Sequence, residues 1–436
     1  MGTAVATAGI ANALAATAPM AASDTQRIAP AFRLDDASNL IYIPVLHELL
    51  KVKEDLYSSL PDSFSVTYPT SNVPGIRDLA PALTLILTEN CNLHCVYCYE
   101  DQKRRSSLMA RPIAQAAIQH LVESAVNYPT HEAKLHFFGG EPTLALALMR
   151  GLLEEFRCLA NVHRVCSKAA ITTNGVMQEE AVGWIAKEID AVTISLDGPL
   201  RIQEENRPGS FARTFQTAKA LFERRPDTIT FRATTRCHQF DSLEDVVDFF
   251  LSEFPGCRLH VEPASGEFHG FLDRWLAVLS HYGDSNIRLR TSVDRPKSVE
   301  GGFCGGSGRN IVVAADGALL ACHRFATGVG TASSPFSYGC IVEKQLHFER
   351  ERLERIESYT SASLVACRSC FAIDYCRGDC PALRSVDGGG HLTWTESPRC
   401  EEVRRFVKGI LLSRYEKAAR ADANCESDAR QPDSQG

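Results

Sequence analysis

A chain of 436 residues, 44% hydrophobic and 23% charged, has enough apolar material for a large core and two or three domains. Its 46 basic and 53 acidic side chains leave a formal charge of −7, which argues against a nucleic-acid or anionic-membrane surface as its working face. No stretch reaches the roughly 18 apolar residues of a transmembrane helix. Sixteen cysteines are many, and they cluster at metal-ligand spacings, so reducing cytoplasm is the compartment they fit.

In chain order, residues 1–26 read as a disordered Ala- and Thr-rich tail. Met1–Met20 contains no Lys or Arg to start a signal peptide, and Ala6 stands where a myristoylation motif beginning at Gly2 needs Ser or Thr. Residues 27–80 form an N-terminal cap, extended near Phe32–Ile43 and helical around Val45–Leu60, with Pro61, Pro69 and Pro74 interrupting the stretch after the helix. From Leu83 to about Gly283, strand-like runs alternate with helix-like ones. The strands are Leu83–Leu87, Lys134–Phe138, Ala169–Thr173, Ala191–Leu196, Thr228–Thr235 and Cys257–Glu262. Between them, Pro112–Val126, Leu144–Phe156 and Phe211–Arg224 place apolar residues three and four apart, as helices do. Strand followed by helix, repeated, implies an α/β fold with a parallel sheet and right-handed crossovers, and six units are too few for a closed eight-fold barrel. This unit spans 81–283. From 284 to 416 glycines and cysteines crowd into a second, smaller domain, whose clearest element is a β-hairpin: Asn310–Ala315, a turn at Asp316-Gly317, then Ala318–Cys322. Residues 417–436 read as a loose polar tail, with Cys425 outside any ligand set.

The chemistry concentrates after the first strand, at Cys91-Asn92-Leu93-His94-Cys95-Val96-Tyr97-Cys98. Three soft thiolates at CX3CX2C suit three irons of a four-iron cluster and leave the fourth open; a zinc loop is the alternative. The pattern resembles the CX3CXφC signature of radical S-adenosylmethionine (radical SAM) enzymes, with Tyr97 as the aromatic φ. That resemblance implies a (β/α)6 partial TIM barrel and catalysis by the Cys91/Cys95/Cys98 cluster. It also implies SAM chelated to the open iron and cleaved to a radical that removes a hydrogen atom from carbon.

Further segments fit the same family. Gly139-Gly140-Glu141-Pro142 after the second strand resembles the stretch that binds the amino group of SAM, with the Glu141 carboxylate as acceptor. Thr172 and Asn174 at the end of the third strand, and Ser195 and Asp197 at the end of the fourth, resemble segments contacting the methionine carboxylate and ribose. Arg207 suits the carboxylate geometrically, and Val261 in the sixth strand matches the place where relatives stack adenine. In peptide-modifying relatives the region before the barrel often grips a leader peptide, which makes a partial module of that kind the alternative for residues 27–80.

The second cysteine set runs Cys304-X12-Gly317-X4-Cys322, then Cys367-X2-Cys370-X5-Cys376-X3-Cys380, then Cys400. It resembles the SPASM extension of radical SAM enzymes, a small cysteine-rich domain; a zinc ribbon over Cys367–Cys380 is the alternative. The resemblance implies two auxiliary clusters, making three [4Fe-4S] clusters in all. Cys367, Cys370, Cys376 and Cys400 would close one. Cys304, Cys322 and Cys380 would hold the other, with Cys340 as candidate fourth ligand. Cys158, Cys166, Cys237 and Cys257 match no motif and are expected as buried small residues.

Together these imply a radical SAM peptide maturase. Its substrate would be a ribosomally made precursor peptide, joined internally by a thioether or carbon–carbon bond, with an external reductant of the flavodoxin or ferredoxin type. The competing expectation is sulfatase-maturing oxidation of Ser or Cys to formylglycine. There an aspartate follows the hairpin's second cysteine, where this chain has His323. A non-catalytic iron–sulfur electron carrier is a further alternative, against which the Gly139–Pro142 and nucleotide segments stand.

Overall fold

The computed structural model describes residues 26–44, 48–52, 54–59, 62–69, 81–98, 107–283, 285–296, 310–325, 334, 336–357, 367, 370–380 and 398–428. Most of the expected N-terminal tail, and Cys304, lie outside them.

The chain opens on an antiparallel sheet of β1 (Gln26–Asp35), β2 (Leu40–Ile43), β3 (Glu48–Lys51), the short helix α1 (Glu54–Ser59) and β4 (Ser63–Pro69), in strand order β3-β2-β1-β4. Of the helix expected over Val45–Leu60, Glu54–Ser59 is helical, while Glu48–Lys51 is a strand. Glu48-Leu49-Leu50-Lys51 has helical propensity, but pairing Leu49 with Tyr42 and Leu50 with Ile41 settles it as an edge strand.

The barrel comes next as β5 (Ala82–Ile86), α2 (Arg111–Val126), β6 (Glu132–Phe138), α3 (Leu146–Val162), β7 (Cys166–Thr173), α4 (Glu179–Glu188) and β8 (Ala191–Ser195). It continues with α5 (Leu200–Asn206), α6 (Phe211–Arg224), β9 (Ile229–Thr235), α7 (Leu243–Glu253), β10 (Arg258–Pro263), α8 (Phe271–Tyr282) and β11 (Arg288–Arg290). All neighbours from β5 to β11 pair in parallel. Strand alternation sorts the side chains. Leu83, Leu85, Leu135, Phe137, Phe231 and Leu259 are buried in the main core with the helices. Residues one step along, among them His136, Thr172, Ser195, Arg232, His260 and Glu262, point to the other face, the concave interior, which is polar there and apolar around Ile86, Val312, Leu320 and Phe138.

Four further strands, β12 (Asn310–Val313), β13 (Ala318–Leu320), β14 (Ser337–Val342) and β15 (Gln345–Phe348), extend this same sheet beyond β5. β12 lies parallel to β5, matching Ile311 to Leu83, and turns back antiparallel into β13. The expected turn at Asp316-Gly317 forms: Gly317 sits at φ +88°, and Asp316 Oδ1 accepts from Ala318 N at 3.1 Å. A boundary at 283/284 thus falls inside one sheet and one core, because Val313, Leu319 and Tyr338 join the main cluster.

The helices α9 (Arg350–Glu357), α10 (Ile373–Cys376) and α11 (Pro398–Asp428) complete the chain. α11 packs on α8 so closely that a Cβ on Gly409 would stand 2.3 Å from Leu276. It runs past residue 417, where a loose tail was expected, because Phe406, Val407, Ile410 and Leu411 bury one face and start a helix that its polar end continues. Among the described residues no helix is long and apolar enough to cross a membrane.

Candidate active site

The loop carrying Cys91, Cys95 and Cys98 leaves the C-terminal end of β5 and is anchored from both sides. Leu93 is buried beneath it, Val96 N donates to Asn206 O at 3.0 Å, and Cys98 N donates to Cys95 O at 3.0 Å. The three thiols are partly exposed and near enough to influence one another. Burial pushes the Cys95 thiol up to about 11, opposed by the Arg207 guanidinium, so a metal is what would draw off its proton.

Gly139 and Gly140 serve this loop directly. Gly140 N donates to Thr88 O at 2.8 Å and Glu141 N to Asn90 O at 2.9 Å. A Cβ on Gly139 would sit 2.4 Å from Thr88 O, and one on Gly140 2.3 Å from Asn90 O. The paired glycines let the chain after β6 lie backbone to backbone on the segment entering the cysteine loop. Pro142 opens the short turn immediately after them, with Glu141 capping it.

The Glu141 side chain turns inward and is fully buried. Its Oε1 accepts from Thr143 N at 3.1 Å, Thr143 Oγ1 at 2.7 Å and Thr173 Oγ1 at 2.9 Å, and its Oε2 from Asn174 N at 2.7 Å. Burial raises its pKa, and these donors work the other way. Asn174 in turn reaches the cysteine loop: Nδ2 donates to Asn92 Oδ1 at 2.8 Å and to Cys91 Sγ at 3.6 Å. Thr172 faces inward and is hydrogen-bonded to His136 Nε2 at 3.0 Å.

A second network holds the other side. Asp197, fully buried, accepts from Tyr97 OH at 2.7 Å and Arg207 Nε at 3.0 Å on Oδ2, and from Thr234 N at 2.9 Å on Oδ1. Its own N–H donates to Gln203 Oε1 at 2.7 Å. Burial works against the Arg207 charge, but Asp197, Tyr97 and Cys95 hold its pKa well above the ordinary arginine value. The guanidinium also lies over the Tyr97 ring, 5.4 Å from its centre. Ser195 ends β8 on the inner face, in register with Arg232 of β9.

The side chain of Val261 does not reach this space. It shares the helix-facing side of β10 with Leu259 and is fully buried in the core, which leaves the backbone as the part of Val261 that can meet a ligand at the mouth. Glu262 is its inward neighbour. It bonds His260 Nε2 at 2.8 Å, Thr291 Oγ1 at 3.1 Å and Ser292 Oγ at 3.2 Å, tying β10 to the segment after β11. Deeper in the interior, burial pushes His136 down to about 4. The His323 ring lies 4.7 Å from that of Phe138, and burial, with Arg232, His136 and Arg324 near it, pushes it down to about 3.

The second cysteine set is partly gathered. Cys370 feels Cys400 and Arg404, although thirty residues separate the two cysteines. Cys367 lies one turn before Cys370, whose N–H donates to Cys367 O at 3.1 Å. Cys376 ends α10, and a left-handed run at Arg377, Gly378 and Asp379 leads to Cys380. Arg399, next to Cys400, pairs with Asp379 at 2.7 Å and lies 5.1 Å over the ring of Phe268. Phe268 follows β10, so this set meets the same end of the barrel as the Cys91 loop. Cys340 is not part of it. It pairs with Ala318 at the turn end of the hairpin. Cys322 stands four residues further along, just past the end of β13, so the hairpin register sets Cys340 toward the turn and Cys322 at the other end of the strand. Cys257 is buried as expected, its thiol pushed up to about 12 by burial, whereas Cys158, Cys166 and Cys237 are exposed. Their positions on an outer helix, at a strand start and in a mouth loop keep them out of the core.

Sequence reasoning missed Asn92, Gln203, Thr234, His136 and Arg232. Asn92 lies inside CX3C and carried a signal; the others have no local pattern, only their place on the inner face or beneath the loop.

A partial parallel barrel carries three cysteines on the loop after its first strand, and residues 85–250 match the Radical SAM superfamily model. Residues 85–250 thus carry a Radical SAM superfamily domain, and that family implies a [4Fe-4S] cluster and SAM. Three thiols on one loop, with an amide N–H beside Cys91 and a guanidinium beside Cys95, fit an anionic, sulfur-ligated cluster. Over 367 residues the chain is 22% identical to the radical SAM cyclopropyl synthase TigE of Paramaledivibacter caminithermalis, covering 76% of this chain and 74% of that one. It is 31% identical over 156 residues to an uncharacterised protein of Methanocaldococcus jannaschii, which is 35% of this chain and about half, 51%, of that protein. Its fold is similar to that of anSMEcpe with bound AdoMet, at a TM-score of 0.59 and 17% identity, over 79% of this chain and 99% of that one.

Proposed function

We propose that Cys91, Cys95 and Cys98 hold the open cluster and that the enzyme modifies a carbon of a ribosomally made precursor peptide. The product is an intramolecular cross-link, thioether or carbon–carbon. When bound, the cluster and SAM supply one-electron cleavage and hydrogen-atom abstraction. Tyr97, Asp197 and Arg207 orient the nucleotide side of the mouth: the Nε of Arg207 is spent on Asp197, which leaves its two Nη groups to meet a carboxylate. The interior, with Thr172, Ser195 and His260 half-buried and Arg232 exposed on an open-sided sheet, receives the peptide segment and excludes bulk water from the reacting carbon.

The observation that carries the reading is the meeting of two cysteine sets at one end of the barrel, through Arg399 and Phe268. An auxiliary four-iron cluster on Cys367, Cys370, Cys376 and Cys400, and another on Cys304, Cys322 and Cys380, would accept the electron left over when a substrate radical closes a bond. Support comes from the named relative, a cyclopropyl synthase, and from anSMEcpe, which has also been solved with bound AdoMet and the Kp18Cys peptide.

The test is anaerobic reconstitution with candidate precursor peptides, any short open reading frame beside the gene first among them, and a flavodoxin- or ferredoxin-type reductant. Iron should reach about twelve per chain, and Cys91/Cys95/Cys98→Ala should remove about four and abolish SAM cleavage. Each cross-link should remove two hydrogens, about 2 Da, and suppress backbone fragments between the joined residues in tandem mass spectra. A peptide that fragments normally and reacts with a hydrazide would instead establish formylglycine-type oxidation.

A further inference from the structure

We infer that Glu141 is a positioning residue of the cluster loop, acting through Asn174 on Cys91, and not the acceptor for the SAM ammonium. The inference rests on Cys91 being a cluster ligand, as proposed for the function. A carboxylate offers about four acceptor sites. On Glu141 the N–H and hydroxyl of Thr143 and the hydroxyl of Thr173 saturate Oε1, and the N–H of Asn174 takes one of the two sites on Oε2. The side chain is wholly removed from the surface, so an ammonium could reach the remaining site on Oε2 only if the packing around it opened.

What the carboxylate does instead is join three pieces of chain. Its own backbone N–H rests on Asn90 O, one residue before Cys91. Through Thr173 and Asn174 it fixes the end of β7. With its N–H so held, Asn174 has its side chain clamped as well: Oδ1 accepts from Val176 N at 2.8 Å, while Nδ2 points at Asn92 Oδ1 and Cys91 Sγ. Asn92 closes the ring by donating Nδ2 to Val176 O at 2.6 Å. An N–H aimed at a metal-bound thiolate withdraws charge from sulfur and favours the reduced cluster, so this bond raises the potential of the iron site that Cys91 serves. Glu141 sets that bond without touching sulfur, iron or SAM.

The experiment is a redox titration of the reconstituted, SAM-free enzyme, followed by EPR. The difference from the Cys91/Cys95/Cys98→Ala variant isolates this cluster. Asn174→Ala should shift its potential to a more negative value, and Glu141→Gln should shift it in the same direction, because the amide cannot accept from the Asn174 N–H in the same geometry. SAM affinity, measured separately by equilibrium dialysis, should fall less than threefold in Glu141→Gln. An unchanged potential in Glu141→Gln with a tenfold or greater loss of SAM affinity would make Glu141 an ammonium ligand and overturn the inference. If Glu141→Gln does not fold, Asn174→Ala decides alone, since it keeps the Thr143 and Thr173 donors in place: an unchanged potential there overturns the role of the N–H···S bond. Full iron content in the triple cysteine variant would mark the failure as that of the cluster assignment instead.

Discussion

Removing Asp197 should expose how much of the mouth depends on one buried carboxylate. Its side chain is fully buried and that of Arg207 is 9% exposed, at 3.0 Å, so Asp197→Ala strands a guanidinium away from water. Breaking such a pair from one side costs about 3–5 kcal/mol. Tyr97→Phe removes only a hydroxyl that donates to the same carboxylate, worth about 1.5–3 kcal/mol for a bond to a charged group. In the double variant the Tyr97 hydroxyl has no acceptor to lose, so its removal should cost far less and the cycle should show a coupling above about 1 kcal/mol. The assay is urea unfolding of the cluster-free chain by circular dichroism. With a slope of about 3 kcal/mol/M, Asp197→Ala should lower the midpoint by about 1–1.7 M. Additivity within about 0.5 kcal/mol would refute the network, because independent sites add to that precision.

Gly140→Ala should cost the Cys91 loop its cluster, because the new Cβ would meet Asn90 O at 2.3 Å and one backbone must retreat; iron should drop by about four per chain. Cys340→Ala should leave iron content and cluster spectra unchanged while Cys322→Ala reduces both, and equal losses would show that the hairpin register does not hold in the loaded enzyme. For His136 the sign is fixed by its low folded pKa, about 4 against 6.5. The unfolded ring binds a proton that the folded one refuses, so stability is complete above about pH 6.5 and falls toward pH 4, at up to about 1.4 kcal/mol per pH unit. His136→Gln should remove that portion of the slope in urea titrations between pH 4 and 6.5.

Much of the barrel was legible in the amino-acid order. The six expected strands lie within three residues of those observed, and Phe211–Arg224 matches its helix end to end, because apolar periodicity is a property of consecutive residues. The Cys91 motif, the glycine pair and the turn at Asp316-Gly317 were legible for the same reason: each is a local pattern with local geometry. In the N-terminal sheet the extended stretch near Phe32–Ile43 was legible too, but β3 was not, since it is a strand only by virtue of its partner β2.

By itself the sequence determined the class of chemistry, since CX3CX2C and the second cysteine set are contiguous spacings that any fold must honour. Only the tertiary structure decided which groups are spent. Glu141 and Asp197 look like open ligands in the sequence and prove to have protein donors on their carboxylates, while Arg207 keeps its Nη groups for use. It also turned Val261 to the core and put the length of a hairpin between Cys340 and Cys322. These outcomes depend on strand register and on which donor meets which lone pair. Both are set by contacts between residues distant in the chain, and burial makes an unmet partner too costly to leave.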